Sequence, residues 1–271
     1  MIITALLLSI LAPPSPTCAH DPASWSSDTA ERRVRHVIQN GGPTPLQVSW
    51  IDPQGKAVDQ GVIAPGAFRS IATFVGHSFA LTDPAGACQI TRIGDVFSGS
   101  YIGTSRYRPV ASRPRWHVLL DQALDTNAQP TRTALATLTQ LLGQVEAALP
   151  PASLAQVRTT PIFLNDHAGP RGQFHYSPEW LTMHGRTVEM VNAIELPSAS
   201  VFPFMAKSQP GAVLHELAHG YHAKLSDEDR AEIEATYRKA MDGGLYRRVR
   251  RHGGSSRMPM PPPTPPSISP N

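Results

Sequence analysis

The stretch Pro210-Gly-Ala-Val-Leu-His215-Glu216-Leu-Ala-His219-Gly-Tyr-His222 decides how the second half of the chain folds. His215 and His219 are four residues apart, so on an α-helix their rings project from one face, one turn from each other. Pro210 and Gly211 favour the start of a helix just before them. We therefore predict a helix that presents two imidazoles side by side.

Glu216 follows the first histidine directly, which completes a His-Glu-x-x-His pattern. In this arrangement two imidazoles bind Zn²⁺, and the carboxylate acts on a water molecule at the open metal position. The pattern predicts His215 and His219 as metal ligands, Glu216 as the catalytic residue and Zn²⁺ as the cofactor. The alternative is a buried helix without a metal, in which a buried Glu216 would need a polar partner.

The composition indicates a folded chain with more than one domain. The chain has 271 residues, of which 41% are hydrophobic and 17% charged, and this is enough for two packed cores of ordinary size. The net charge is only +3. We therefore expect no nucleic-acid partner.

The N-terminus has features of a secretory signal. The apolar run Ile2–Ala12 precedes the small-residue stretch Thr17–Ala19, which predicts a signal peptide at 1–19 and a leader at 20–32. An apolar run of this length is too short to cross a bilayer, so we expect no transmembrane segment. The mature protein is predicted to be secreted or periplasmic.

Residues 33–97 contain short segments of alternating polar and apolar residues, separated by turn signals. Leu46–Ile51 alternates in this way, and Asp52-Pro-Gln-Gly55 after it has the composition of a β-turn. Short strands at even spacing predict an all-β sandwich.

Four motifs follow one another in this segment: Trp50-Ile-Asp-Pro-Gln-Gly55, Ile63-Ala-Pro-Gly66, Thr73-Phe-Val-Gly-His77-Ser-Phe79 and Thr82-Asp83. With these motifs the segment resembles the β domain of the von Hippel-Lindau tumour suppressor. In that family the Gly-His segment lies in the pocket that recognises hydroxyproline in a peptide strand.

The resemblance implies a peptide-binding site formed by Thr73, His77 and Phe79, which match the family's hydroxyl, pocket histidine and aromatic wall. Gln60 stands near a position where the family has a tyrosine, so this part of the pocket differs. The expected partner is a protein or peptide, with proline-containing segments favoured. The alternative for His77 is a turn histidine that is satisfied by its neighbours.

Residues 98–115 are rich in Gly, Ser, Pro and Arg and are predicted to be a linker. The segment 116–250 then mixes helical and strand patterns. Apolar residues at spacings of three and four predict a helix over Thr131–Leu149, and a capping signal at Ser226 predicts another over Ser226–Met241. Thr187–Val191 is predicted to be an edge strand that binds extended substrate.

This second segment resembles a group of bacterial zincin-like metallopeptidases that are distantly similar to anthrax lethal factor. The resemblance covers about Trp116–Val249 and implies an α+β zincin-like domain with peptidase activity. The residues that carry it are Phe174-His-Tyr-Ser-Pro-Glu-Trp-Leu181, His184-Gly185, Val188-Glu189, Pro210, Val213–His222, Tyr237 and Gly244-Leu-Tyr246.

A zinc peptidase needs a third protein ligand. His222, Glu232 and Glu234 are the weak candidates, although His222 lies two turns from His215 on a straight helix. In the resembling family the third ligand is a glutamate on a later helix in an aromatic and acidic context, and this sequence has no such segment. Instead 251–271 is rich in proline and is predicted to be a disordered tail, so we expect the zincin-like domain to be truncated at its C-terminus.

Two functions remain open from the sequence. The first is a secreted zinc-dependent metallopeptidase that hydrolyses peptide bonds and uses its β-sandwich to recognise peptides or proline. The second is a catalytically impaired protein that binds peptides or proteins through the β domain. Zinc content and peptide binding distinguish the two.

Overall fold

The computed structural model describes residues 25–29, 32–94, 97–110, 115–167, 172–245, 249–250 and 256–257. The predicted signal peptide lies outside the described residues, as do most of the predicted tail and part of the predicted leader. The chain divides into two compact units, 1–220 and 221–271.

The first third of the chain forms two sheets. One sheet has the order β4-β1-β7 and the other the order β3-β2-β5-β6. Neighbouring strands are antiparallel except β1 and β7, which pair in parallel. The strands are β1 Arg33–Asn40, β2 Leu46–Ile51, β3 Ala57–Ile63, β4 Phe68–Phe74, β5 Ser78–Thr82, β6 Cys88–Arg92 and β7 Phe97–Ile102.

One apolar core lies between these two sheets. Val34 and Ile38 of β1 are buried and pack with Val48, Phe79 and Leu81 of the other sheet. The predicted arrangement, an all-β first part followed by a part with both helices and strands, is confirmed at this level.

The predicted linker at 98–115 contains two strands instead. Residues 98–102 belong to β7, and β8 (Tyr107–Pro109) pairs with the first strand of a further sheet. Gly99 shows why a composition rich in Gly and Ser was misleading, since a Cβ atom on this residue would lie 2.9 Å from the Cβ of Val188. The small residue permits close packing between two parts of the unit rather than marking a flexible loop.

The further sheet has five strands in the order β11-β12-β10-β9-β8. Its three inner strands are parallel and its two edge strands antiparallel to their neighbours. The strands after β8 are β9 Val118–Asp121, β10 Ile162–Leu164, β11 Gln173–Phe174 and β12 Ile194–Leu196.

The helices among the described residues are α1 Gln129–Ala148, α2 Pro151–Val157, α3 Pro178–Met183, α4 Phe202–Ser208, α5 Ala212–Ala223 and α6 Asp227–Asp242. Leucines at spacings of three and four explain α1, which buries Leu138, Leu141 and Leu142. The predicted bounds, Thr131–Leu149, agree to within two residues. None of the helices in the described part of the chain is long and apolar enough to cross a membrane.

The predicted edge strand Thr187–Val191 is wrong. Residues Val188–Met190 form a short 3-10 helix. The cause is local, because the Thr187 side chain accepts a hydrogen bond from the backbone N–H of Glu189 and so favours a helical turn over an extended strand. The edge strand at this end of the sheet is β11.

The second unit contains α6 and a short hairpin, β13 (Val249–Arg250) and β14 (Ser256–Arg257). The side chain of Ser226 accepts from the backbone N–H of Asp229 and begins α6 as predicted. No residue of α6 is buried.

Candidate functional site

His215 and His219 lie on one face of α5, as the spacing predicts. Their Nε2 atoms are 3.2 Å apart, and the two rings meet edge to face with centroids 4.7 Å apart. His215 is exposed and His219 is half-buried. The pair is therefore open to solvent on the His215 side and enclosed on the other.

The separation of these two nitrogens fits a metal ion. Zn–N bonds of 2.0–2.1 Å at tetrahedral angles put two ligand nitrogens about 3.3 Å apart. Both donors are imidazole nitrogens, which Zn²⁺ accepts readily. The observed 3.2 Å matches one edge of such a tetrahedron.

Glu216 is oriented by the edge strand of the sheet. The backbone N–H of Phe174 in β11 donates to Oε2 of Glu216 at 2.7 Å. This bond fixes one carboxylate oxygen, and Oε1 has no hydrogen bond among the described residues. The half-buried carboxylate thus has the polar partner that a buried Glu216 needs in a helix without a metal. Its second oxygen can still accept a proton or a hydrogen bond.

The face of α5 opposite the exposed His215 packs inward. Val213, Leu217 and Gly220 are buried, whereas Leu214 is 38% exposed. Gly220 lets the helix approach β11, because a Cβ there would lie 2.6 Å from Oγ1 of Thr160 and 3.1 Å from the ring of Phe174. The close approach brings Phe174 within reach of Glu216.

Tyr176 is a site residue to which the sequence assigned no role. Its hydroxyl lies 3.1 Å from Nδ1 of His219, on the opposite side of the ring from His215. Tyr176 follows a two-residue strand and is 43 positions from the histidine, so no periodic pattern connects the two in the sequence.

The third metal ligand is not found among the described residues. No group of three or more His, Cys, Asp or Glu side chains in that part of the chain is placed to hold a metal ion. His222 lies in the last turn of α5, and Glu232 and Glu234 lie on α6. All three belong to the unit that begins at Tyr221, and Glu234 forms an ion pair with Arg238.

The predicted peptide-binding residues Thr73 and His77 contact each other. Oγ1 of Thr73 is 2.9 Å from Nδ1 of His77. The rings of Trp50 and Phe74 flank the imidazole, each with its centroid 5.2 Å away. Partial burial lowers the pKa of His77, although the negative charge of Asp28 acts in the opposite direction. The lowered pKa favours the neutral ring at physiological pH.

Phe79, the third predicted peptide-binding residue, is not part of this cluster. It is 2% exposed and lies in the core between the two sheets, stacked on His36 with centroids 6.4 Å apart. Its place on β5, whose residues are all buried, directs it away from solvent. The aromatic wall beside His77 is formed by Trp50 and Phe74 instead.

A buried carboxylate anchors the chain segment that follows β11, beside His219. Glu195 of β12 accepts from His175 at 2.8 Å and from Arg186 at 2.9 Å, and it pairs with His167 at 2.7 Å. Burial acts to raise the pKa of Glu195, but the hydrogen bond from His175 and the charges of Arg186, His175 and His167 together hold it below its ordinary value. The pairing anchors His175, which lies between Phe174 and Tyr176.

Comparisons with known proteins give no family for this chain. No protein-family model matches it, and no curated protein matches it. Among solved structures, the NMR structure of a protein from Eubacterium rectale covers 28% of this chain and 80% of its own, at 11% sequence identity and a TM-score of 0.20. A likeness of this size carries no argument about fold or function.

Proposed function

We propose that this protein is a secreted or periplasmic zinc-dependent peptidase that hydrolyses peptide bonds. The observation that carries the proposal is the 3.2 Å separation of Nε2 of His215 and Nε2 of His219. Glu216 is on the same helix and is oriented by the backbone of the edge strand. His215 and His219 would hold the zinc, together with a third ligand from beyond this pair.

When bound, zinc would supply Lewis-acid polarisation of the substrate carbonyl and of the attacking water. Glu216 takes a proton from that water as it adds to the carbonyl carbon. The same carboxylate returns the proton to the amide nitrogen, so that the amine leaves as the C–N bond breaks. The N–H of Phe174 holds Oε2 of Glu216 at 2.7 Å and keeps the base in place through both transfers.

The substrate is a protein or peptide in an extended conformation. Strand β11 is the edge of the five-stranded sheet among the described strands, and the edge of a sheet can bind an extended chain through backbone hydrogen bonds. Since β11 also contacts Glu216, a peptide bound along it would pass close to the carboxylate.

Peptide binding through the β-only part is the second candidate function. The observation that favours it is the Thr73–His77 pair between two aromatic rings. A hydroxyl and an imidazole can bind a polar group on a ligand, and aromatic rings suit the flat apolar face of proline. If the protein binds no zinc, this site defines its function.

Zinc content and peptidase activity together test the first proposal. We expect near-stoichiometric zinc in the purified protein by plasma mass spectrometry, and hydrolysis of a peptide library detected by mass spectrometry. His215→Ala should remove both zinc and activity. Glu216→Gln should keep zinc but lower kcat by about a hundredfold or more, because it removes the general base.

A wild-type protein that contains no zinc and shows no peptidase activity would contradict the proposal that the protein is a zinc-dependent peptidase. If that protein still bound proline-containing peptides, the second candidate function would stand. Glu228→Gln in the first turn of α6 is the matched control for Glu216→Gln, and it should change neither zinc content nor kcat. Equal activity in the wild type and in Glu216→Gln would show that Glu216 is not the general base.

A further inference from the structure

Tyr176 contacts His219 at two points. Its hydroxyl oxygen is 3.1 Å from Nδ1 of the ring and 3.5 Å from the backbone carbonyl oxygen of the same residue. A phenol has one proton to donate and lone pairs to accept with. The geometry therefore allows the hydroxyl to donate to the carbonyl while it accepts from Nδ1–H.

When the hydroxyl donates to the carbonyl and accepts from the ring, Nδ1 of His219 carries the proton. If Nδ1 carries the proton, Nε2 carries a lone pair. That lone pair is directed toward Nε2 of His215, 3.2 Å away. A metal-binding histidine generally donates its other ring N–H to a neighbouring acceptor, which fixes both the tautomer and the orientation of the ring. Tyr176 is the acceptor at this position.

Two aromatic rings hold Tyr176. Phe174 of β11 meets it edge to face with centroids 4.7 Å apart, and Phe97 of β7 meets it at 5.4 Å. Phe97 belongs to the β-only part of the chain, and its carbonyl accepts from Nδ2 of Asn192 at 3.0 Å. A line of direct contacts thus runs from β7 through Tyr176 to His219.

We propose that Tyr176 is a positioning residue for His219 and that Phe97 acts on the metal centre through Tyr176. This inference rests on the proposed zinc site. It makes the β-only part a structural component of the metal centre, in addition to any role in binding peptides. Phe97 supports Tyr176 from outside the mixed α and β part, so the centre needs both parts of the chain.

The first test is the zinc affinity of the full-length protein, measured by competition with a chromophoric chelator. Tyr176→Phe keeps the ring contacts with Phe97 and Phe174 but removes the hydroxyl. We expect it to weaken zinc binding by roughly 10-fold to 100-fold without changing the melting temperature. Tyr101→Phe is the matched control, because the Tyr101 hydroxyl contacts the carbonyl of Thr104, and it should leave zinc affinity unchanged.

The second test is a double-mutant cycle. Phe97→Leu should weaken zinc binding in the same direction as Tyr176→Phe. If Phe97 acts through the hydroxyl of Tyr176, the double variant binds zinc as well as Tyr176→Phe alone, because the effects of coupled residues do not add. Additive losses would overturn the role of Phe97. Zinc affinity in Tyr176→Phe equal to that of the wild type would overturn the role of Tyr176.

Nitrogen-15 NMR of the metal-free protein separates this inference from the proposed function. We expect His219 of the wild type to be protonated at Nδ1, and to show a mixture of tautomers in Tyr176→Phe. A wild-type protein with this single tautomer but without zinc binding would contradict the proposed peptidase and support the positioning role. A mixture of tautomers in the wild type would overturn the positioning role, whatever the zinc content.

Discussion

His77 combines an aromatic environment with a polar partner. Its ring lies between Trp50 and Phe74, and its Nδ1 is 2.9 Å from Oγ1 of Thr73. Thr73 is only 5% exposed, so the imidazole is the more accessible member of the pair. A ligand at this site would therefore meet the histidine first.

His77→Ala should weaken the binding of proline-containing peptides. Loss of one hydrogen-bonding partner costs about 1 to 2 kcal/mol, which corresponds to about a tenfold rise in Kd. Fluorescence anisotropy of a labelled peptide measures this directly, and zinc content should not change. His117→Ala, at an exposed histidine, is the control. An unchanged Kd in His77→Ala would show that peptides do not bind at His77.

His36 should make the stability of the protein depend on pH. Burial lowers the pKa of His36 to about 4, from an ordinary 6.5. Between pH 6.5 and pH 4, His36 is protonated in the unfolded chain but stays neutral in the folded chain. The free energy of unfolding therefore falls as the pH drops from 6.5 toward 4. The loss is on the order of 3 kcal/mol.

Urea unfolding at pH 7 and at pH 4.5 measures this loss. His36→Asn should reduce the difference between the two pH values, because the residue that titrates is gone. His117→Asn should leave the difference as it is in the wild type. If His36→Asn and the wild type lose the same free energy on acidification, His36 is not the cause.

Two glycines in helices are expected to respond to alanine in opposite ways. Gly220 of α5 faces Thr160, where a Cβ would lie 2.6 Å from Oγ1, whereas Gly143 of α1 has nothing within 4 Å of such an atom. Gly220→Ala should destabilise the fold by about 1 to 3 kcal/mol through overpacking. Gly143→Ala should stabilise it by about 0.5 to 1 kcal/mol through helix propensity.

Thermal unfolding followed by circular dichroism distinguishes these two outcomes in sign. Gly220→Ala should also lower zinc affinity, because it moves α5 away from β11 and so from Phe174. A stabilising effect of Gly220→Ala would mean that α5 does not approach β11 as closely as the structure shows.

Patterns that repeat within one helix or strand were predictable, and contacts between distant segments were not. The leucine spacing placed α1 to within two residues, and the four-residue spacing of His215 and His219 placed their rings on one face. The short 3-10 helix Val188–Met190 was missed because a threonine side chain decided it, against the β-branched composition. Tyr176 stands in a segment that carries the zincin resemblance, but no pattern in the sequence connects it with His219, which lies 43 residues away.

Of the three peptide-binding residues implied by the resemblance to the von Hippel-Lindau β domain, two contact each other in the structure and the third lies apart from them. Thr73 and His77 form a pair, whereas Phe79 lies in the core between the two sheets. Trp50, quoted in the first of the four motifs, supplies the ring beside His77. A matched position in a sequence does not by itself fix the direction of a side chain.

The two parts of the first unit are joined by specific contacts from β1 and β7 to the region around Val188. Nδ2 of Asn192 donates to the carbonyl of Phe97, and the backbone N–H of Val188 donates to Oε1 of Gln39, each at 3.0 Å. Gly99 packs against Val188. We therefore expect the described parts of this unit to unfold together.

Gly99→Ala tests this cooperativity. A Cβ on Gly99 would lie 2.9 Å from that of Val188, and the overpacking should cost about 1 to 3 kcal/mol. Differential scanning calorimetry should show one transition in the wild type and two in Gly99→Ala. Gly94→Ala, where a Cβ meets nothing within 4 Å, should keep a single transition. Two transitions already in the wild type would show that the parts fold independently.

The parallel pairing of β1 with β7 has a practical consequence for dissecting the chain. β1 is the middle strand of its sheet only while β7 is present. A fragment cut at residue 94, close to the boundary that the sequence predicts, would leave the backbone of β1 unpaired along one side, beside the buried residues Val37 and Ile38. Such open strands recruit other chains, so this fragment should aggregate, whereas one that continues through β7 should remain monomeric.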